Sequence, residues 1–450
     1  MKPTPTLTNL PLRRADFANL AEAMDYAAKG DTGVNFYKKS GQLKAVLSYA
    51  QLRDEAQTLA RRLLSLKPKR GARVALLAET HPYFLRFFFA CQYAGLVPVP
   101  LPISVHLGGS GAFVSQLNRL LMDCRAEFAV APEGYLTHLK EAAGKLHMTL
   151  CGSPGDYDDL PVERTRRLQP SSSKELAYLQ YTSGSTRFPR GVMITQENVM
   201  CNLSIMIRGG LKIRRGDRGM SWLPFYHDMG LVGFVLGAMT AQMSVDYLSP
   251  MDFVMRPRLW LTLMSQNKVT VSFSPPVGYE LTLNRIKKEH IKALDLSSWR
   301  VAGVGAEPIR VQPLHRFAKV LKSCGFNQRA FMAGYGMAET SLAVSFSPLG
   351  QGLSQDYIDP EYLAEFQVAM PLGVEMEDPA IRAKTFANCG EPLPGYEIQI
   401  CDSRGRVLPE RSVGTLFVRG SSVMPGYFGD AEATREVLSP DGWLDTGDLA

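Results

Sequence analysis

Residues 181–191 read YTSGSTRFPRG. Thr182, Ser183, Gly184 and Ser185 follow directly on the apolar run 176–181, and Thr186 comes next. Small residues let the backbone approach a ligand closely, and glycine adopts dihedrals that other residues avoid. Successive backbone N–H groups with hydroxyls among them make a pocket for phosphate oxygens, and Arg190 adds a fixed cation. No Gly-Lys-Ser/Thr closes the run at the spacing of the common phosphate-binding loop. The same composition also makes an ordinary Ser/Gly-rich surface loop.

Three further segments carry groups of distinct chemistry. Glu339 lies in GYGMAET, 334–340. Its Tyr335, between Gly334 and Gly336, can stack on a flat base while the backbone stays close. The Glu339 carboxylate is a hard oxygen ligand suited to magnesium bridging phosphates. Alone, the segment equally suits a helix start after a strand. Asp448 lies in GWLDTGDLA, 442–450, where an aspartate can accept the two hydroxyls of a ribose or simply stabilise a turn. His227 lies in SWLPFYHDMGLVG, 221–233. There an imidazole could meet a substrate carboxylate, or be a buried histidine satisfied by Asp228 amid plain core.

These groups need elements to hold them. Ser48 can cap a helix whose Leu52, Ala56, Leu59, Ala60, Leu63 and Leu64 share one face. A strand at 74–78, a helix at 83–94 ending at Gly95 and a strand at 96–101 form a parallel crossover unit. The pattern recurs at 128–131, at 176–181 and 192–194 on either side of the loop, and in a helix at 197–207. Buried strands are expected at 269–272 and 299–303. The fold class is therefore α/β with open parallel sheets. Near Asn388 the character changes to glycine, proline and short alternating runs, 396–400 and 414–418, with turns at 403–405 and at Pro425-Gly426. That reads as a small antiparallel β unit. Between lies 350–384, acidic on balance, with short helices expected around 361–366 and 379–384. It is too long for a simple connector.

Bulk properties narrow the class. The 450 residues suffice for about three domains. A net charge of +7 is mild at this length, and no basic cluster interleaves with aromatics as a single-strand binder needs, so no nucleic-acid partner is expected. Seven scattered cysteines suit a reduced, cytoplasmic protein better than a disulfide framework. The N-terminus has no apolar core segment and is no secretory signal. The most apolar stretch, 82–102, is broken by Arg86, Gln92 and prolines. A buried helix and strand explain it better than a membrane span, so no integral membrane association is expected.

Phosphate loop, aromatic-Gly-acid turn and ribose aspartate, in this order, resemble the adenylate-forming superfamily of acyl and aryl ligases, luciferases and peptide-synthetase adenylation domains. The likeness runs from about Ser48 to the end. QYTSGSTRFPRG, with Arg187 where most relatives carry glycine, and WLPFYHDMGLVG resemble the fatty acyl-AMP ligases within it. The resemblance implies a large N-terminal domain of two parallel-sheet α/β subdomains (about 1–349), a subfamily insertion (350–384) and a small β-barrel subdomain (385–450). The C-terminal lid, with its catalytic lysine, is expected to lie outside this chain.

The resemblance also implies chemistry. ATP and Mg2+ would convert a fatty acid to acyl-adenylate with release of pyrophosphate, and the acyl group would pass to the phosphopantetheine thiol of an acyl carrier protein, coenzyme A being a poor acceptor. Thr182, Ser183, Gly184, Ser185 and Thr186 would cradle phosphates with Arg190, which stands where lysine is usual; the charge is kept but the point contact of an ammonium is lost. Gly305, Ala306, Glu307 and Pro308 would wall the adenine slot, together with the turn Gly334, Tyr335, Gly336, Met337 and Ala338; Tyr335 would stack on the base. Thr340 would contact the α-phosphate, Glu339 and Thr186 would bind the metal, and Asp448 would hold the ribose. His227 would sit beside the acyl carboxylate. Met229, Leu231, Val232, Phe234, Phe273 and Tyr279 are candidates for an acyl tunnel, or ordinary core. Two alternatives remain open: an acyl-CoA synthetase of the same superfamily, and an ATP-binding module without turnover.

Overall fold

The structure, a computed structural model, describes residues 1–103, 109–182, 189–373 and 383–450. Two parallel sheets organise it. The smaller has four strands in the order Val97–Leu101, Arg73–Leu77, Ala126–Val130, Leu150–Gly152, all parallel. Helix Pro82–Ala94 packs on its first two strands and against helix Tyr49–Ser65. Gly95, at φ 68, ends that helix in the left-handed conformation. Helix and following strand are buried almost throughout, as expected for 82–102. Among the described residues no helix is long and apolar enough to cross a membrane.

The larger sheet has nine strands. Its centre is parallel and runs Phe331–Gly336, Val301–Val304, Val271–Ser274, Arg218–Ser221, Ser244–Leu248, Gly33–Tyr37. Antiparallel strands finish both edges: Leu43–Ser48 at one, Ala343–Phe346 and Glu391–Pro392 at the other.

Ser48 caps helix Tyr49–Ser65 as expected, its hydroxyl accepting from the Gln51 N–H at 3.1 Å. Ser48→Ala is expected to cost about 1 kcal/mol, read as a drop in the denaturant midpoint at unchanged slope.

Two expectations are corrected. Strands Leu176–Tyr181 and Gly191–Thr195 pair antiparallel, as a hairpin around the Ser/Gly loop. The connection is too short for a parallel crossover, which needs a dozen or more residues. The small β unit is a three-stranded antiparallel sheet, Tyr396–Cys401, Thr415–Gly420 and Leu444–Leu449, and among the described residues it does not close into a barrel. Glu391–Pro392, the strand before it, joins the large sheet instead.

Within the 350–384 segment, helix Pro360–Phe366 forms where expected, while most of the second expected helix, 379–384, lies outside the described residues. Lys384 begins strand Lys384–Ala387, which pairs with Gln355–Ile358 across the boundary drawn at 384. The segment is tied to the β unit: the Val413 N–H donates to the Gln367 carbonyl at 2.8 Å, the Ala369 N–H to the Arg411 carbonyl at 2.7 Å, and Arg411 pairs with Asp356 at 2.5 Å.

Candidate functional site

Val271–Ser274, Val301–Val304 and Phe331–Gly336 are neighbouring parallel strands, so their carboxyl ends share one edge of the sheet. Ligands of open α/β sheets bind outside that edge. Gly305 and Ala306 follow the second strand, and the 3₁₀ turn Ala338–Thr340 follows the third. Gly303 is needed for this packing: a Cβ there would lie 2.1 Å from the Phe273 ring, which crosses over that strand.

A cavity of about 850 Å³ opens beside these turns. Polar lining comes from Thr182, Arg190, Tyr335, Glu339 and Asp448, with His227 and Asp228. Apolar lining comes from Met229, Phe234 and Phe273 together with Met206, Ile213 and Met243. Gly305, Ala306, Gly334, Gly336, Met337 and Ala338 also line it. Segments distant in sequence thus converge on one space. Two stretches of wall, Met206–Gly210 and Met229–Leu236, are π-helical, a rare form that marks functional sites.

Tyr335 donates its hydroxyl to Asp448 Oδ2 at 2.7 Å, which joins the proposed base-stacking ring to the proposed ribose ligand. Glu339 is buried, and burial pushes its carboxyl above the ordinary range; the Asp228 and Asp448 charges add to this, against a hydrogen bond from Tyr427. A buried carboxylate in an acidic surrounding is suited to a cation. Among the described residues no three His, Cys, Asp or Glu side chains gather around one point. A metal here would therefore take few protein ligands and draw the rest from phosphate and water, as magnesium does. In that respect the donor set fits.

His227 Nδ1 lies 2.7 Å from Asp228 Oδ1, which also accepts the Met229 N–H at 2.6 Å. An Nδ1–H aimed at Asp228 leaves Nε2 free for a ligand. Partial burial pulls the imidazolium down, but the Asp228 charge and hydrogen bond prevail, and His227 titrates above its ordinary 6.5. The pair's stabilisation is then complete below pH 6.5 and is lost as pH rises through the elevated folded value. Asp228→Asn is expected to leave desolvation unopposed and bring the His227 pKa below 6.5, followed by NMR titration of the ring protons.

Several expected residues stand elsewhere. Ser183, Gly184, Ser185 and Thr186 lie outside the described residues. Thr340 is fully buried and its hydroxyl donates to the Met337 carbonyl at 2.9 Å, so it is off the cavity wall. Glu307 accepts the Val277 N–H at 2.9 Å, and neither it nor Pro308 lines the cavity. Leu231 and Val232 are wholly buried core. Tyr279 is core too: it packs among Trp260, Trp299, Phe317 and Phe331 and donates to the Gly303 carbonyl at 2.9 Å. Sequence reasoning gave Asp228 only as the partner of a buried His227, and passed over Tyr427 and the apolar Met206, Ile207, Leu211 and Ile213. Asp228 was legible as the neighbour of His227; Tyr427, beside the Pro425-Gly426 turn, carried only a turn signal.

An α/β domain in which Tyr335, Glu339 and Asp448 share one cavity with an apolar wall suits an enzyme that activates an acid with a nucleotide. The family model for AMP-binding enzymes matches residues 29–428. The chain belongs to the AMP-binding enzyme family, in its fatty acyl-AMP ligase group. It is 44% identical over 446 residues to a putative acyl-CoA synthetase of Caulobacter vibrioides, covering 99% of this chain and 77% of that protein. It is 30% identical over 458 residues to a medium-chain-fatty-acid–[acyl-carrier-protein] ligase of Moorena producens, covering 99% and 74%. Among solved structures, one from studies of fatty acyl-adenylate ligases of E. coli and L. pneumophila superposes with a TM-score of 0.92 at 46% identity, covering 98% of this chain and 78% of that one. A fatty acyl-adenylate ligase of L. pneumophila in complex with acyl adenylate and pyrophosphate superposes at 0.87 with 26% identity, covering 98% and 76%.

Proposed function

We propose that this chain uses magnesium-ATP to convert a fatty acid to its acyl-adenylate and serves transfer of the acyl group to the phosphopantetheine thiol of an acyl carrier protein. The observation that carries the reading is the single cavity lined by both the nucleotide-type residues and the apolar wall. A carboxylate oxygen of the fatty acid attacks the α-phosphorus, the bond to the bridging oxygen breaks, and pyrophosphate leaves with its electron pair. Tyr335 stacks on the base, and Asp448 exchanges its bond from Tyr335 for the ribose hydroxyls. Asp228 orients His227 so that Nε2 meets the acyl carboxylate. Ser183, Gly184, Ser185 and Thr186 take the phosphates with Arg190. Glu339 and Thr186 would hold magnesium, which when bound neutralises charge on the phosphate oxygens. Met229, Phe234 and Phe273 keep the acyl chain from water, each buried methylene contributing about 0.8 kcal/mol.

The name of the Caulobacter relative favours a second reading, transfer to coenzyme A. A competition assay with a carrier protein and coenzyme A separates the two: acyl-carrier product is expected, and equal or faster acyl-CoA formation overturns the carrier assignment. The 350–384 segment, docked on the β unit, is proposed to impose the choice by restricting motion between adenylation and transfer. Deleting 355–387, which removes both strands of its hairpin, is expected to preserve adenylation and raise acyl-CoA formation. Unchanged acceptor preference in a folded, adenylating deletion variant overturns that role.

A further inference from the structure

The turn at Pro425-Gly426 belongs to a strap whose construction the nucleotide and acyl contacts do not explain. Residues 421–428 cross between the two segments that carry the proposed phosphate and metal groups. On one side, the Phe428 N–H donates to the Gly191 carbonyl at 2.8 Å and the Met193 N–H to the Gly426 carbonyl at 3.1 Å. Tyr427 also bridges Val192, on the strand that leaves the Ser/Gly loop. Asn198, in the following helix, donates to the Ser421 and Val423 carbonyls at 2.8 and 3.0 Å. On the other side, the Met424 N–H donates to the Glu339 carbonyl at 2.8 Å, and the Ser341 hydroxyl to the Ser422 carbonyl at 3.1 Å.

At the middle of the strap stands Tyr427. Its hydroxyl donates to Glu339 Oε1 at 2.9 Å. Both side chains are buried, Glu339 at 7% and Tyr427 at 8% exposure. The Arg190 guanidinium lies 5.2 Å from the ring centroid. The backbone beside the ring is shaped to place it. Gly426 sits at φ 144, where a Cβ would meet Thr434 Cγ2 at 2.6 Å, and the Tyr427 N–H is fixed by Thr434 Oγ1 at 2.9 Å. The Tyr427 hydroxyl meets Oε1, and Glu339 lines the cavity.

We infer that Tyr427 is a positioning residue: its hydroxyl holds one oxygen of Glu339 and leaves the other as the single carboxylate oxygen presented to a cation, with Arg190 registered over the same ring. The inference rests on the assignment of Glu339 to magnesium. An unheld carboxylate turns freely about its last torsion, and magnesium tolerates little departure from octahedral geometry. Partners one shell out from a metal characteristically control its affinity. The phenol therefore sets the strength of the metal interaction through Glu339, from the wall of the same cavity.

The test is Tyr427→Phe, which keeps the ring, its packing and its face toward Arg190 and removes the oxygen that meets Glu339 and Arg190. Calorimetry of ATP binding is run across a magnesium titration, with AMP binding in chelator and the melting temperature as the other readouts. The magnesium concentration for half-maximal enhancement of ATP binding is expected to rise about 10-fold or more, with metal-free AMP affinity and melting temperature unchanged. An unshifted midpoint in Tyr427→Phe, when Glu339→Gln shifts it, overturns the positioning role alone. No shift in Glu339→Gln overturns the metal assignment, and the inference with it. Parallel loss of AMP affinity and melting temperature in Tyr427→Phe shows a structural role and overturns the inference as well.

Discussion

Glu339→Ala is expected to weaken magnesium-dependent ATP binding by at least the 10–100-fold, roughly, that loss of an outer-shell metal partner costs, while metal-free binding of AMP stays near the parent value. Glu339 supplies the charged oxygen in the cavity beside the nucleotide-type turn, and the described residues offer no cluster to replace it. The effect on folding is smaller. Truncation leaves the Tyr427 hydroxyl without its partner, a loss of about 1–3 kcal/mol for a buried group. That loss is offset by removing a carboxylate whose charge burial, Asp228 and Asp448 all oppose. Calorimetry with and without magnesium checks the prediction; equal ATP affinity in mutant and parent removes Glu339 from the metal site.

Gly233→Phe is expected to abolish adenylation of long fatty acids while sparing ATP binding. Gly233 lines the cavity from the helical segment Met229–Leu236, and a Cβ built there meets only Leu342 Cδ2, at an ordinary 3.6 Å. The first carbon therefore fits without strain, and the ring beyond it is expected to enter the proposed acyl space. At about 0.8 kcal/mol per methylene, excluding four methylenes costs about 3 kcal/mol, or roughly 200-fold in kcat/KM. A series of fatty acids of increasing length, assayed by pyrophosphate release, should show a cutoff that the parent lacks. A parallel length profile in mutant and parent would move the acyl chain elsewhere.

The convergence of the proposed nucleotide residues on one cavity was legible because those residues are chemically particular. Tyr335, Glu339 and Asp448 lie in segments whose glycines and acids announce a close backbone approach, Tyr335 and Asp448 near strand ends and Glu339 in a turn, and all three line the cavity. The framework was legible for a related reason: Ser48, Gly95 and the apolar runs of the parallel strands each have one local solution. The acyl wall was not legible. Phe273 borders the cavity while Tyr279 is sealed in an aromatic core, and both are apolar on both readings. Periodicity reports which face leaves water, and cannot distinguish protein from an empty pocket behind it. Thr340 stands off the cavity for a different reason, because its hydroxyl found a nearer acceptor in its own turn. The hairpin Leu176–Tyr181 and Gly191–Thr195 was misread as parallel because strand direction depends on loop length, and the apolar runs alone are silent about it.

The π-helical wall has a consequence for how this pocket can change over generations. A π turn accommodates one residue more than the α turn it replaces, so Met229–Leu236 stands one deletion away from an α-helix. Such a deletion would let the segment close into an α-helix with the positions beyond it still on their faces, so that the wall loses one residue and is reshaped only around the missing turn. The lining of this pocket is thus open to revision by single-codon loss or gain, a coarser and faster step than tuning side chains one substitution at a time.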